Sequence, residues 1–176
     1  MAEKVIQDEK LIELYLKGDA RSLDVLIERY LKMIYRFVYR NIGSLPDAED
    51  ITQEVFLKMW KNLRKFDLNK SFKPWIFQIA KNASIDFLRK KKTLPLPEFE
   101  IADKSHNSLE KLSDKNTVAL LMERLSYRER VVINMRHNDG LNFREIAKIL
   151  KEPINTVKSR YRRGIMNLRE SIKRIK

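Results

Sequence analysis

The chain has 176 residues, 43% of them hydrophobic, enough to bury the core of one domain or of two small, modestly stable ones. A net charge of +13 and a pI near 9.9 favour a polyanionic partner and argue against an acidic-substrate pocket as the sole function. The absence of cysteine excludes disulfides and thiolate metal sites and fits a reducing cytoplasm; no apolar run approaches the roughly 20 residues of a membrane span, and the N-terminal MAEKVIQDEK lacks the apolar core of a secretory signal.

The four Gly and five Pro fall at segment edges, and the pattern predicts an all-α chain. A first helix is predicted over about residues 8–17, stopping at Gly18-Asp19. Leu23, Leu26, Ile27, Tyr30, Ile34, Phe37 and Val38 then recur at the i, i+3, i+4, i+7 spacing of an amphipathic helix. Asn41-Ile42-Gly43-Ser44-Leu45-Pro46 reads as a turn, with Asp47 as the cap of a helix running to about residue 63. A loop over residues 64–73 follows, and Pro74 at a first helical position opens a long helix to about residue 91. Residues 93–115 differ in kind: they hold Pro95, Pro97, little periodicity, and five carboxylates against three Lys. They read as a flexible linker between two small helical domains, 1–92 and 116–176. Helices resume near residue 116, with apolar faces at Leu120, Leu121 and Leu125, at Val131, Val132 and Met135, and at Phe143, Ile146, Ala147 and Leu150.

The charge pattern changes sign inside the first domain. Residues 47–56, DAEDITQEVF, carry four carboxylates and no cation; residues 57–92 carry eleven Lys/Arg against two Asp, interleaved with Trp60, Phe66, Phe72, Trp75, Phe77 and Phe87. An acidic helical face beside a basic aromatic one suggests a basic protein surface as one partner and nucleic acid with stackable bases as the other. Asp47, Glu49, Asp50 and Glu54 also fit a solvated helix N-terminus stabilised by the helix dipole. A metal or acid–base pair there lacks a nearby His and a second acidic cluster. In the long helix Trp75, Ile76, Ile79, Ala80, Ala83 and Phe87 include the core stripe, with Trp75 in the core or at its edge. Phe66 and Phe72, flanking the polar loop Asp67-Leu68-Asn69-Lys70-Ser71, are expected to touch a base. Lys81, Asn82, Arg89 and Lys90 are placed on the outer face, toward a strand.

Residues 143–162 have helix-turn-helix spacing: small Ala147 where two helices cross, a break at Lys151-Glu152-Pro153, and Val157 ten residues beyond Ala147. The second helix presents Lys158, Ser159, Arg160, Arg162 and Arg163 with no acid among them, and residues 151–176 hold nine Lys/Arg and two Glu. Such a helix fits the DNA major groove, where Arg and Lys take guanine edges or phosphates. A solvated basic helix is the plainer alternative. Tight turns of this type usually place Gly where Lys151 stands; a left-handed Lys costs roughly 1 kcal/mol, so the turn either is built differently or carries that strain.

The segments DAEDITQEVFLKMW, FKPWIFQIAKNASIDFLRKK, LSYRERVVINMRH and REIAKILKEPINTVKSRYRRG together resemble the bacterial RNA polymerase sigma factors, in particular the small two-domain extracytoplasmic-function (ECF) group. The resemblance spans roughly residues 10–92 and 115–170. It implies a non-enzymatic, cytoplasmic promoter-specificity subunit, without cofactor, metal or membrane insertion. Its implied partners are core RNA polymerase (β′ and β subunits), promoter DNA and an anti-sigma protein. It assigns Asp50, Gln53, Glu54, Leu57 and Trp60 to docking on the polymerase. Phe66, Asn69, Lys70, Phe72, Lys81, Asn82, Arg89 and Lys90 fall to the promoter −10 element, where a base is flipped from the stack. Thr156, Lys158, Ser159, Arg160, Arg162 and Arg163 fall to the −35 element. The linker, at net −2, is implied to thread the polymerase near the RNA path without competing for DNA. Arg162 stands where many relatives are apolar or aromatic, implying an added phosphate contact. The extra N-terminal and central regions of the housekeeping sigmas are not seen, so both promoter elements are expected to need a good match. A stand-alone helix-turn-helix regulator is the alternative, but it predicts a dimer on half-sites and leaves residues 47–92 unexplained. An enzyme acting on nucleic acid finds no catalytic constellation: His106 lies in the linker, and His137 reads as a dipole partner at a helix end.

Overall fold

The computed structural model describes residues 6–93, 121–122 and 124–173, with the side chains of 92 and 93 excepted. The linker, the helical restart near residue 116, Leu120 and His106 lie outside the described residues. The helices with full bounds are α1 (Asp8–Leu16), α2 (Ala20–Ile42), α3 (Leu45–Asn62), α4 (Phe72–Thr93), α5 (Tyr127–His137), α6 (Phe143–Leu150) and α7 (Ile154–Lys173), with a 3-10 turn at Leu63–Lys65. No strand occurs among the described residues. They form two compact units, one built on α1 to α4 and one on α5 to α7.

In the first unit most of the predicted stripe of α2 is core: Leu26, Tyr30, Ile34, Phe37 and Val38 are buried, while Leu23 and Ile27 are only partly so. Buried with them are Leu11 and Ile12 of α1, Ile51, Val55 and Met59 of α3, and Ile76, Phe77 and Ala80 of α4. Phe37 and Phe77 meet edge to face, ring centres 5.3 Å apart, a favoured aromatic geometry. Asp19 caps α2, accepting from the Arg21 N–H at 3.1 Å and the Ser22 hydroxyl at 2.7 Å. Gly43, at φ 77°, closes α2 in the left-handed region where a side chain would be strained.

Two boundaries differ from those predicted. The turn after α2 is shorter: α3 already begins at Leu45 with Pro46 in its first turn, Ser44 is the N-cap, and Asp47 lies inside the first turn rather than capping it. Similarly α4 begins at Phe72, not Pro74, because the Glu9 carboxylate of α1 accepts the Phe72 N–H at 3.0 Å. Asp8, beside it, accepts hydrogen bonds from the Tyr30 hydroxyl and Arg29, and Arg29 also donates to the Ile6 carbonyl at 2.9 Å. Burial first, then this hydrogen bond to Asp8, pushes the Tyr30 hydroxyl well above its usual range. A carboxylate pair on the short helix α1 thus ties together α2 and the start of α4.

The second unit opens on a capping box: the Glu129 N–H donates to the Ser126 hydroxyl oxygen at 3.3 Å, and the Ser126 N–H to the Glu129 carboxylate at 3.1 Å. Glu129 is buried and also accepts from Asn167 of α7 at 3.2 Å. There α7 crosses α5 at Gly164, where an added Cβ would stand 2.8 Å from the Ile133 Cδ1 atom and 3.2 Å from the Glu129 Cβ. Gly164 is therefore a mid-helix glycine set by a crossing, contrary to the expectation that glycines mark edges. In α6 the buried positions are Ile146 and Ile149, while Ala147 and Leu150 are only partly buried. Val157 of α7 is fully buried, as its spacing predicts.

Lys151 sits at φ 54°, so the turn does carry the left-handed lysine. The Glu152 N–H reaches the Ala147 carbonyl at 3.1 Å, the six-to-one bond of a Schellman motif, which demands that conformation. Lys151→Gly should stabilise the second unit by about 0.5 kcal/mol, relief of strain being partly offset by the freedom glycine adds to the unfolded chain. Thermal unfolding would show this as a Tm rise of about 2–4 °C.

Candidate protein-docking and nucleic-acid surfaces

Along α3 the buried side is Ile51, Thr52, Val55 and Met59, so the opposite side presents Asp50, Gln53, Glu54, Leu57 and Trp60 to solvent. Their spacing puts all five on one stripe. Leu57 is 55% and Trp60 50% exposed, large apolar groups that folding of the unit does not require to be there. Trp60 is nonetheless oriented: its indole N–H donates to the Tyr15 hydroxyl of α1 at 2.8 Å. Glu54 pairs with Lys58 one turn on, at 2.6 Å, an exposed contact of little stabilising weight.

The loop between the 3-10 turn and α4 is organised by Asp67. Its carboxylate accepts from the Asn69 backbone N–H at 3.0 Å and side-chain amide at 3.1 Å, and Lys70 lies 3.4 Å away. Those contacts, Asn69 foremost, hold the Asp67 carboxyl below the usual carboxylate range. Asn69 and Lys70 are exposed on the resulting turn.

The two flanking phenylalanines need correction. Phe72 is 1% exposed, edge-on to Tyr30 at 5.1 Å and to Phe66 at 5.8 Å, and so has no face to offer a base. Phe66, 9% exposed, lies under Trp75 with ring centres 4.9 Å apart. The ring of this cluster that reaches solvent belongs to Trp75, which sits at the core edge. Farther along α4, Asn82, Arg89 and Lys90 are exposed and Lys81 partly so. Asn82 shares its face with Ile85, 40% exposed, and with Arg89, whose guanidinium donates to Asp86 at 3.3 Å.

On α7, Thr156, Lys158, Ser159, Arg162 and Arg163 are exposed, and the Ser159 hydroxyl donates to the Thr156 carbonyl at 2.9 Å. Arg160 departs from the expected outward placement: its side chain is 13% exposed and pairs with Glu152 of the turn at 2.6 Å. His137 is more than a helix-end dipole partner, since its Nε2 lies 2.7 Å from the Tyr161 hydroxyl with the rings stacked at 5.7 Å. Phe143 meets Tyr161 edge to face at 5.2 Å and Arg136 lies over Phe143 at 5.5 Å, so this cluster joins α5, α6 and α7. Its members are scattered in sequence and carry no periodic signal. No helix among the described residues is long and apolar enough to cross a membrane.

Residues 26–93 match the family "Sigma-70 region 2" and residues 121–170 the family "Sigma-70, region 4". The chain is 32% identical to the ECF RNA polymerase sigma factor SigW of Bacillus subtilis over 180 residues, covering 94% of this chain and 96% of that one. It is 29% identical to the ECF RNA polymerase sigma-E factor of Escherichia coli K12, over 95% and 93% of the two chains. Among solved structures, the sigma factor RpoE of Bartonella quintana, in complex with the anti-sigma factor NepR, shares the fold at TM-score 0.71 and 22% identity, covering 88% of this chain and 98% of that one. An all-α chain with region 2 and region 4 in order, similar to SigW along nearly all its length, belongs to the ECF sigma factors, the promoter-specificity subunits of RNA polymerase.

Proposed function

We propose that residues 1–92 dock on core RNA polymerase and capture melted −10 DNA, that residues 116–176 read −35 duplex, and that 93–115 span the two. The observation that carries the docking role is the solvent-facing stripe of α3, where Leu57 and Trp60 stand exposed beside Asp50, Gln53 and Glu54. Apolar anchors rimmed by carboxylates suit a basic helical partner surface, with the anchors giving affinity and the charges giving steering. On the DNA side the exposed set is Asn69, Lys70, Asn82, Arg89 and Lys90, with Lys81 partly exposed and Trp75 in place of Phe66 and Phe72 as the stacking ring. On α7 it is Thr156, Lys158, Ser159, Arg162 and Arg163. The protein acts without chemistry of its own, in the cytoplasm where its polymerase is. One solved structure of this fold, the Bartonella quintana sigma factor RpoE, is in complex with an anti-sigma factor, and the same surfaces here suit such a partner. Neither DNA reader alone gives tight binding; the polymerase fixes their separation and supplies the effective concentration.

Specific initiation from promoter DNA by core polymerase plus this chain tests the proposal; no gain over core alone overturns it. Within that assay Lys158→Ala should weaken promoter binding about tenfold where the lysine takes a base edge, and only uniformly, with a salt slope smaller by about one, where it takes a phosphate. Binding to matched and mismatched duplexes over a salt series separates the two.

A further inference from the structure

We infer that Glu152 is a specificity-determining residue of the −35 surface, acting by withholding Arg160 from DNA that does not match. The inference rests on the −35 reading proposed above. Lys158, Arg162 and Arg163 stand in solvent, whereas Arg160 between them is turned in, 13% exposed, with its guanidinium 2.6 Å from Glu152, itself 28% exposed. Glu152 belongs to the helix-turn-helix turn, and the sequence places no other carboxylate between Glu145 and Glu170. This charge is therefore embedded in a surface otherwise built to meet a polyanion.

Glu152 Oε2 is buried and its partner is the Arg160 guanidinium at 2.6 Å, so Arg160 is its main compensation. Removing the guanidinium would leave a part-buried carboxylate unpaired beside DNA phosphates. An exposed lysine pays no such cost on reaching a phosphate. Any DNA can therefore recruit Lys158, Arg162 and Arg163. Arg160 is released only where a base edge offers a better geometry than Glu152 does, as the paired acceptors of guanine do for an arginine fork. The pair makes one contact conditional on sequence and so widens the gap between right and wrong sites.

The test uses the full chain assembled with core RNA polymerase. Two promoter duplexes serve as probes: one selected by the unsubstituted holoenzyme from a library randomised at −35, and one with that element scrambled. Affinity is measured over a salt series. Glu152→Gln should bind the scrambled duplex about 3- to 10-fold more tightly and steepen its salt slope by about 0.9, one further phosphate contact. The matched-to-scrambled ratio should fall accordingly. Arg160→Gln should leave scrambled binding and its slope unchanged while weakening matched binding about tenfold. The double variant should return the slope to that of the unsubstituted chain. If Glu152→Gln leaves slope and ratio unchanged, the inference is overturned. It is equally overturned if Glu152→Gln steepens the slope just as much in the Arg160→Gln background, which marks simple loss of a negative charge. A Glu152→Gln chain that unfolds still leaves Arg160→Gln decisive, since equal losses on both duplexes contradict withholding. No −35 preference in the unsubstituted holoenzyme overturns the −35 reading itself, and the inference with it.

Discussion

Trp60→Ala is expected to weaken binding to core RNA polymerase by more than tenfold while the fold survives. Half the Trp60 surface already faces solvent and the core side of α3 is Ile51, Val55 and Met59, so truncation leaves the core itself intact, and the lost hydrogen bond to Tyr15 costs about 1 kcal/mol. A tryptophan at the centre of a docking face is, by contrast, worth about 2 kcal/mol or more on truncation, about thirtyfold in affinity. Titration of labelled protein with core enzyme reads the loss, and Tm, falling by only a few degrees, reads the fold. Glu54→Lys on the same stripe should slow association and flip the sign of the salt dependence of that contact, because it sets a cation against basic partner groups. Leu57→Ser should add a loss of its own, since its side chain is as exposed as that of Trp60. Unchanged core binding in both Trp60→Ala and Glu54→Lys would remove α3 from the interface.

Periodicity made the helices legible because burial repeats along them: the α2 stripe and Val157 sit where spacing puts them. The stripe of α3 came from the family resemblance rather than from periodicity, and the fold leaves Asp50, Gln53, Glu54, Leu57 and Trp60 on the solvent side of that helix. What local pattern did not carry are groups fixed by a partner on another segment of the fold. Phe72 looked like a loop aromatic free to meet a base; Tyr30 and Phe66 enclose it, and Glu9, 63 residues earlier, caps its N–H and starts α4 before Pro74. Arg160 looked like one more outward cation in a run of them; Glu152 turns it in. Gly164 looked like an edge, yet a helix crossing that only the tertiary fold creates sets it. In each case a contact made only by the folded chain overrode the local pattern.

The consequence is sharpest at Phe72, where core packing and DNA contact predict different results. Phe72→Ala should cost about 3–5 kcal/mol through the lost transfer energy and the cavity left among Tyr30, Phe66 and Trp75. Against a typical stability of about 5–15 kcal/mol, that lowers Tm by well over 10 °C and takes polymerase docking and −10 capture down together. Phe72→Leu keeps most of the volume and should retain both activities, with a Tm loss of several degrees. Asn82→Ala behaves in the opposite way: its side chain is exposed on α4, so Tm should hold while promoter opening, read by permanganate reactivity of unpaired thymines, declines. Trp75→Ala should fall between, losing about 1–3 kcal/mol of base stacking as well as part of the aromatic cluster. A Phe72→Leu chain that keeps its Tm and its core binding but no longer opens DNA would return Phe72 to the base-contacting set, because only a lost aromatic face, and not lost volume, accounts for that combination.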